Sequence, residues 1–531
     1  MSAISNGQWE APFWGASKSF ITGQDMLGMQ NASLATYATL LPGLTNLTQR
    51  IRYYGFYMWL LEQYARTRHK VSVSEFHRFV RRGELILAFV MAHNYVEERA
   101  VVGSNYAKKR LQQNNTGSID IAAGADIEND NVYWKYSSGA FGQYYQGALS
   151  AMGLIAPSKN EKRILVCTPH YGRKLAGLFE DTVDESIREK YLGVINSGTL
   201  SREELTRFSK AFSLKAIKPQ TPEWDFYIEM LFGKDFPTTE TQAGHTTFRV
   251  ETLLLYMQYL ADSDTFESVS SFPHSFLYRL WDKAPFDGYT ASMGWHYYAL
   301  NENAHFALET LLWVLLMELE IQGSITLPDM ADHFTNQINS AFDELYDSSS
   351  PDRNFNKLSF LDFSAGLYQQ GFHPTSFTDK IEETSSSETF RNGVYALNVL
   401  GLIYQHEKQQ LVKLNAYSRQ HGMHRDGDAT ELLSWIQKNE NLTLPAFVRK
   451  LVLQHIINRH IEVAMRKMRN RNENTLKFIL EDNILKPVAT VQPVWTGPRI
   501  KSVHQYLVDL KLVENDKLTV LGKELLNERL Q

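Results

Sequence analysis

The chain has 531 residues, 43% of them hydrophobic and 21% charged, and a net charge of −5. That balance describes a folded chain of about three or four domains and excludes a disordered or collagen-like one. It also excludes a whole-molecule attraction to nucleic acid or an anionic membrane, so any such binding has to come from a local patch.

The opening residues, MSAISNGQWEAPFWG, show neither the basic start nor the apolar run of a signal peptide. Helical periodicity then recurs over 47–68, 74–98, 140–152, 171–180, 201–212, 222–232, 246–262, 301–321, 328–346, 392–415, 429–438, 445–470 and 500–511. Ser72 with Glu75, and Asp428 with Glu431, have the spacing of capping boxes. Pro222, Pro328 and Pro445 stand where a first helical turn begins. Strand signals are short, at 163–168 and 517–520, and the polar stretches 114–131, 347–356 and 374–388 read as exposed loops. The longest apolar run, 311–321, is too short for a membrane span and is interrupted by Glu318 and Glu320. No membrane partner is expected. The one cysteine, Cys167, gives no disulfide framework and no cysteine metal site, which favours a cytoplasmic location.

One pattern occurs twice. In 144–179 and again in 502–530 a helix is followed by an apolar pair, Leu154–Ile155 or Leu512–Val513. A polar turn, a strand, a threonine and a glycine then lead into a last helix, with Thr168 and Gly172 matching Thr519 and Gly522. This is helix, β-hairpin, helix, similar to the second half of a winged helix. The fold class expected is therefore mainly α: a multi-domain helical protein with two small winged-helix-like modules. The expected domains are 1–195, ending in the first module, a central helical domain 196–350, linker loops and helices 351–440, and 441–531 with a basic helix and the second module.

Four groups of residues are candidate sites. Arg50 and Arg52 lie in an aromatic helix, where a guanidinium needs a buried carboxylate or a bound anion. Arg466, Lys467, Arg469 and Arg471 at the end of the basic helix, with Arg499 and Lys501 near the second module, are the candidates for nucleic-acid binding. The same cations also favour the C-terminal end of a helix dipole and can simply face solvent or a protein partner. Glu302, His305 and Glu309 share a helical face at metal-ligand spacing. The second Glu-x-x-His of a dimetal bundle is missing, so no metal is expected and mutual pairing is the better account. His421, His424, Asp426 and Asp428 lie in a loop ahead of a capped helix and are read the same way. Motifs for phosphate loops, dinucleotide binding, zinc proteases and nucleophile elbows do not occur, so no cofactor is expected and the reading leans away from an enzyme. Asp509-x-Lys511 has nuclease-like spacing but sits at a predicted helix end.

The run LLPGLTNLTQRIRYYGFYMWLL resembles uncharacterised bacterial proteins encoded among anti-phage defence genes. The pattern there is Phe-Pro-Gly-Thr, then Thr-x-Arg-x-Arg-Tyr, then Phe-x-x-Trp. Pro42, Gly43, Thr45, Thr48, Arg50, Arg52, Tyr53, Phe56 and Trp59 match it, while Leu41 and Leu44 depart from it. The likeness covers residues 40–64 and implies a cellular setting: antiviral defence in a bacterium. The expected function is a non-catalytic subunit of a defence complex that binds protein partners, an ATPase or nuclease among them, with double-stranded DNA as a further candidate partner. The alternative is a nucleic-acid-processing enzyme whose site carries no recognised motif.

Overall fold

The computed structural model describes residues 25–45, 49–67, 72–95, 101–113, 117–233, 236, 245–262, 266–278, 290–346, 354–384, 389–470, 474–497 and 499–530. The fold is mainly α, and its strands form only two- and three-stranded sheets. Two compact units divide the chain, and each is discontinuous: residues 1–36 with 293–496, and residues 37–292 with 497–531. The divisions differ from the expected 195, 350 and 440. Two of them fall inside the helices Gln30–Leu40 and Thr290–Gln322, where no loop composition could have marked them.

The 37–292 and 497–531 unit is built around the helix Arg52–Thr67, whose residues 52–64 are all buried. A helix apolar on every side has to be enclosed by others, and here Gly172–Asp181 and Val73–Asn94 pack on it. Its rings make the core. Tyr53 stacks on Tyr57 with centroids 5.5 Å apart, Tyr145 lies 4.7 Å from Tyr57, and Trp59 packs against Tyr191 and Phe212. Ser72 caps Val73–Asn94 by accepting from the Glu75 amide, as its spacing predicts.

The duplicated pattern folds the same way twice. In the first copy Gln146–Ala151, the hairpin Ile155–Pro157 with Leu165–Cys167, and Gly172–Asp181 follow in order. In the second the series is Ile500–Asp509, Val513–Glu514 with Lys517–Leu518, and Val520–Leu530. Even the hydrogen bonds correspond. The Leu154 amide donates to Leu149 O and the Leu512 amide to Leu507 O, both at 2.9 Å. Leu507 is thus the counterpart of Leu149. The Thr168 and Thr519 hydroxyls accept from the Gly172 and Gly522 amides at 3.0 and 3.1 Å. Both glycines are fixed by close approach, because a Cβ would lie 2.1 Å from Leu154 O in one copy and 2.2 Å from Leu512 O in the other. The hairpins differ in their turns. Asn515 and Asp516 both take positive φ, 49° and 59°, which closes the second hairpin in two residues.

The 1–36 and 293–496 unit is organised on the buried helix Thr290–Gln322. Leu327–Leu345 and Leu444–Leu451 start as expected at Pro328 and Pro445. A hairpin that the sequence reading missed, Phe478–Glu481 with Ile484–Pro487, turns at Asp482 and Asn483 and adds Ile325–Thr326 as a third strand. The basic helix is interrupted by a π-helical segment, Val452–Asn458, between Leu444–Leu451 and Arg459–Asn470. Two further expectations are corrected. The supposed loop 374–388 contains the helix Thr375–Glu383, because Phe377, Thr378 and Ile381 bury at helical spacing despite the polar composition. The supposed single helix 392–415 is two, Thr389–Glu407 and Leu411–Gln420, broken by a turn that no proline or glycine marks.

Candidate functional site

Arg50 and Arg52 are both nearly sealed from solvent, in separate pairs. Arg50 Nη1 lies 2.5 Å from Asp509 Oδ1. Burial pushes the Asp509 carboxyl up to about 6, with Arg50 holding it lower than burial alone would. Arg52 donates to Glu223 Oε1 at 3.0 Å, to Ser213 O at 2.6 Å and to the Thr182 hydroxyl at 2.8 Å, and its guanidinium lies over the Phe179 ring. Three different segments therefore meet on one arginine. The paired reading of these residues matches the geometry, and both guanidinium groups spend their charge within the unit.

The same unit holds a buried acid that the sequence reading did not single out. Glu84 accepts from the Tyr57 and Tyr133 hydroxyls and from the Ala140 and Phe141 amides. It thereby caps the π-helical turn Phe141–Tyr145. Burial drives its carboxyl up to about 7 against those four donors. No local spacing could have revealed it, since Tyr133 and Phe141 reach it from a separate loop.

The basic candidates are divided between the two units. In the first module's unit, Arg499 is largely enclosed, with its guanidinium over the Tyr37 ring and a bond to Leu41 O, and only Lys501 is exposed. In the 1–36 and 293–496 unit, Lys467 donates to Asp25 O. Arg459 donates to Leu27 O and Asp426 O and pairs with Glu462. Arg466 is exposed. The Arg469 side chain and Arg471 lie outside the described residues.

Glu302, His305 and Glu309 form a buried network on the Thr290–Gln322 helix. Glu302 accepts from the Ser33 hydroxyl and from the Thr496 amide at 2.7 Å. Glu309 accepts from the Met26 and Val494 amides, and His305 Nε2 lies 3.0 Å from its Oε1. Burial opposes charge on His305, yet Glu309, Glu302 and Asp25 together outweigh it and raise the imidazole to about 9. Asp25 joins His305 and Glu309 in a group of metal-ligand type, with one ligand atom each within 4.8 Å.

The loop 421–428 is likewise ordered by its own acids. Asp428 is fully buried and takes hydrogen bonds from the Thr430 and Glu431 amides, the Tyr297 hydroxyl at 2.6 Å and His424 Nδ1 at 2.7 Å. His424, Asp426 and Glu431 bring a second set of three ligand atoms within 4.8 Å of one another.

Two clefts of about 390 Å³ differ in how their arginines are used. One, in the 37–292 and 497–531 unit, is lined by Arg78 and Arg82. Arg82 grips Asp126 through two nitrogens at 2.9 and 2.7 Å, and Arg78 faces Asp126 and Glu128. The other, in the 1–36 and 293–496 unit, is lined by Arg425 and Arg466, neither of which forms an ion pair with a carboxylate among the described residues. Comparison with protein-family models, with curated proteins and with solved structures finds no match for this chain.

Proposed function

We propose that this chain is a non-catalytic, partner-binding subunit of a bacterial anti-phage defence complex. The observation that carries the non-catalytic part is the spending of its reactive side chains on one another. Arg50 with Asp509, Arg52 with Glu223 and His305 with Glu309 are ion pairs inside the units. Groups held this way are already committed to partners inside their own unit. The defence setting rests on the resemblance of residues 40–64. Protein partners, an ATPase or a nuclease among them, are the preferred ligands. The two helix–hairpin–helix modules, read as winged-helix relatives, are the proposed docking elements. The helix before the first hairpin carries no lysine or arginine from 138 to 153, which favours a protein over DNA there. Double-stranded DNA is the second partner class, and it rests on exposed Arg466 and Lys501.

Affinity capture of the tagged full chain from its native cell, read by mass spectrometry, tests this. A stoichiometric complex with an ATPase or nuclease is expected. Cleavage of DNA by the purified chain alone with Mg²⁺ would overturn the proposal in favour of the enzyme alternative.

A further inference from the structure

We infer that the cleft lined by Gly28, Asn31, Leu34, Arg425, Asp426 and Arg466 binds the phosphate group of a small hydroxylated molecule, a nucleotide or sugar phosphate in chemical class. The inference does not depend on the defence-complex reading. Its basis is the pairing of two guanidinium groups from separate segments on one space, with a single carboxylate beside them. Other arginines of this unit face acids: Arg449 lies 2.5 Å from Asp332, and Arg391 and Arg419 face Glu344 and Glu431. Arg425 instead donates to two carbonyls, Gly422 O at 2.9 Å and His424 O at 2.6 Å, both through Nη1. That holds the guanidinium plane in place without an ion pair to a carboxylate among the described residues. A planar, pre-positioned fork is the group best matched to phosphate oxygens.

The walls are fixed by residues behind the cleft. Arg459 bonds Leu27 O at 2.9 Å and Asp426 O at 2.7 Å, tying the 25–28 turn to the 421–428 loop. Gly28 has φ of +76°, and a Cβ there would lie 3.2 Å from Arg466 Nη2 and 2.9 Å from Val463 Cγ2. The left-handed backbone and the close approach to Val463 both favour glycine here, beside Arg466. The remaining lining divides the ligand. Asp426 repels phosphate and accepts hydroxyl groups, Asn31 can do either, and Leu34, 41% exposed, offers an apolar floor. A space of about 390 Å³ suits one small molecule and not a folded partner.

Isothermal titration of the full chain at low salt with inorganic phosphate, AMP and glucose 6-phosphate decides the matter. The expected result is one site per chain, with at least one ester bound more tightly than inorganic phosphate. Arg466→Gln and Arg425→Gln should each weaken that binding tenfold or more, about 1.4 kcal/mol. Their melting temperatures should not change, because both side chains are exposed, and Arg466→Lys should restore part of the affinity. Absence of heat with all three probes overturns the inference, as does unchanged binding in both variants. Binding of inorganic phosphate alone marks an adventitious ion only. Binding of a DNA duplex but of neither ester reassigns the arginines to a nucleic-acid surface.

Discussion

Arg50 and Asp509 lie 459 positions apart in the chain and meet as a buried ion pair 2.5 Å long. The pair joins the start of the aromatic helix to the helix of the second module, within one unit. Its removal from one side leaves a charge without a partner. Arg50→Ala should cost about 3–5 kcal/mol, while joint replacement by Arg50→Met and Asp509→Leu should recover most of that loss. Chemical denaturation of the two variants checks it. Equal stability of Arg50→Ala and the parent would show that the pair contributes nothing.

Glu84 gives the stability a pH dependence of known sign. Its carboxyl titrates near 7 when folded and near 4.5 when unfolded, so the folded chain holds a proton that the unfolded chain has released. The associated stabilisation is present in full below about 4.5 and is lost as pH rises through about 7. Melting curves across that window should show a decline that Glu84→Gln removes. The variant should also be less stable by about 1–3 kcal/mol, since the Ala140 and Phe141 amides bond to different carboxylate oxygens and the amide nitrogen that replaces one of them cannot accept.

His305 acts in a higher window. Folded, it holds its proton up to about 9, against 6.5 for the free side chain. Stability from this group is complete below about 6.5 and disappears as pH rises through about 9. His305→Gln should flatten the melting profile between those values. A profile that keeps the parent's slope would assign the proton elsewhere.

Gly427 has φ of +78°, and a Cβ there would lie 2.2 Å from Arg459 Nη2. Gly427→Ala has to move the guanidinium that links the 421–428 loop to Leu27 and also carries a left-handed backbone cost of about 1–2 kcal/mol. A lower melting temperature with intact helical circular dichroism is expected. A melting temperature equal to the parent's would show that the loop yields freely.

The sequence by itself determined what depends on near neighbours. Helix starts at Ser72, Pro222, Pro328 and Pro445 were legible because caps and first-turn prolines act within a few residues. The two modules were legible because each hairpin and its threonine cap are local. The need of Arg50 and Arg52 for counter-charges was legible too, since a helix apolar on every side must be enclosed. Their partners were not: Asp509 and Glu223 come from other segments, and only the folded chain brings them in. Glu84 gave no signal at all, because its four donors arrive from the helix Arg52–Thr67 and from the loop ahead of Phe141. The basic residues show the same limit. Arg459, Arg466, Lys467 and Arg499 look alike in the chain, yet tertiary packing ties Arg459 and Lys467 to carbonyls, covers Arg499 with Tyr37 and leaves Arg466 beside Arg425. Charge is written in the sequence, but whether it is spent or available depends on which distant groups folding places within hydrogen-bond reach.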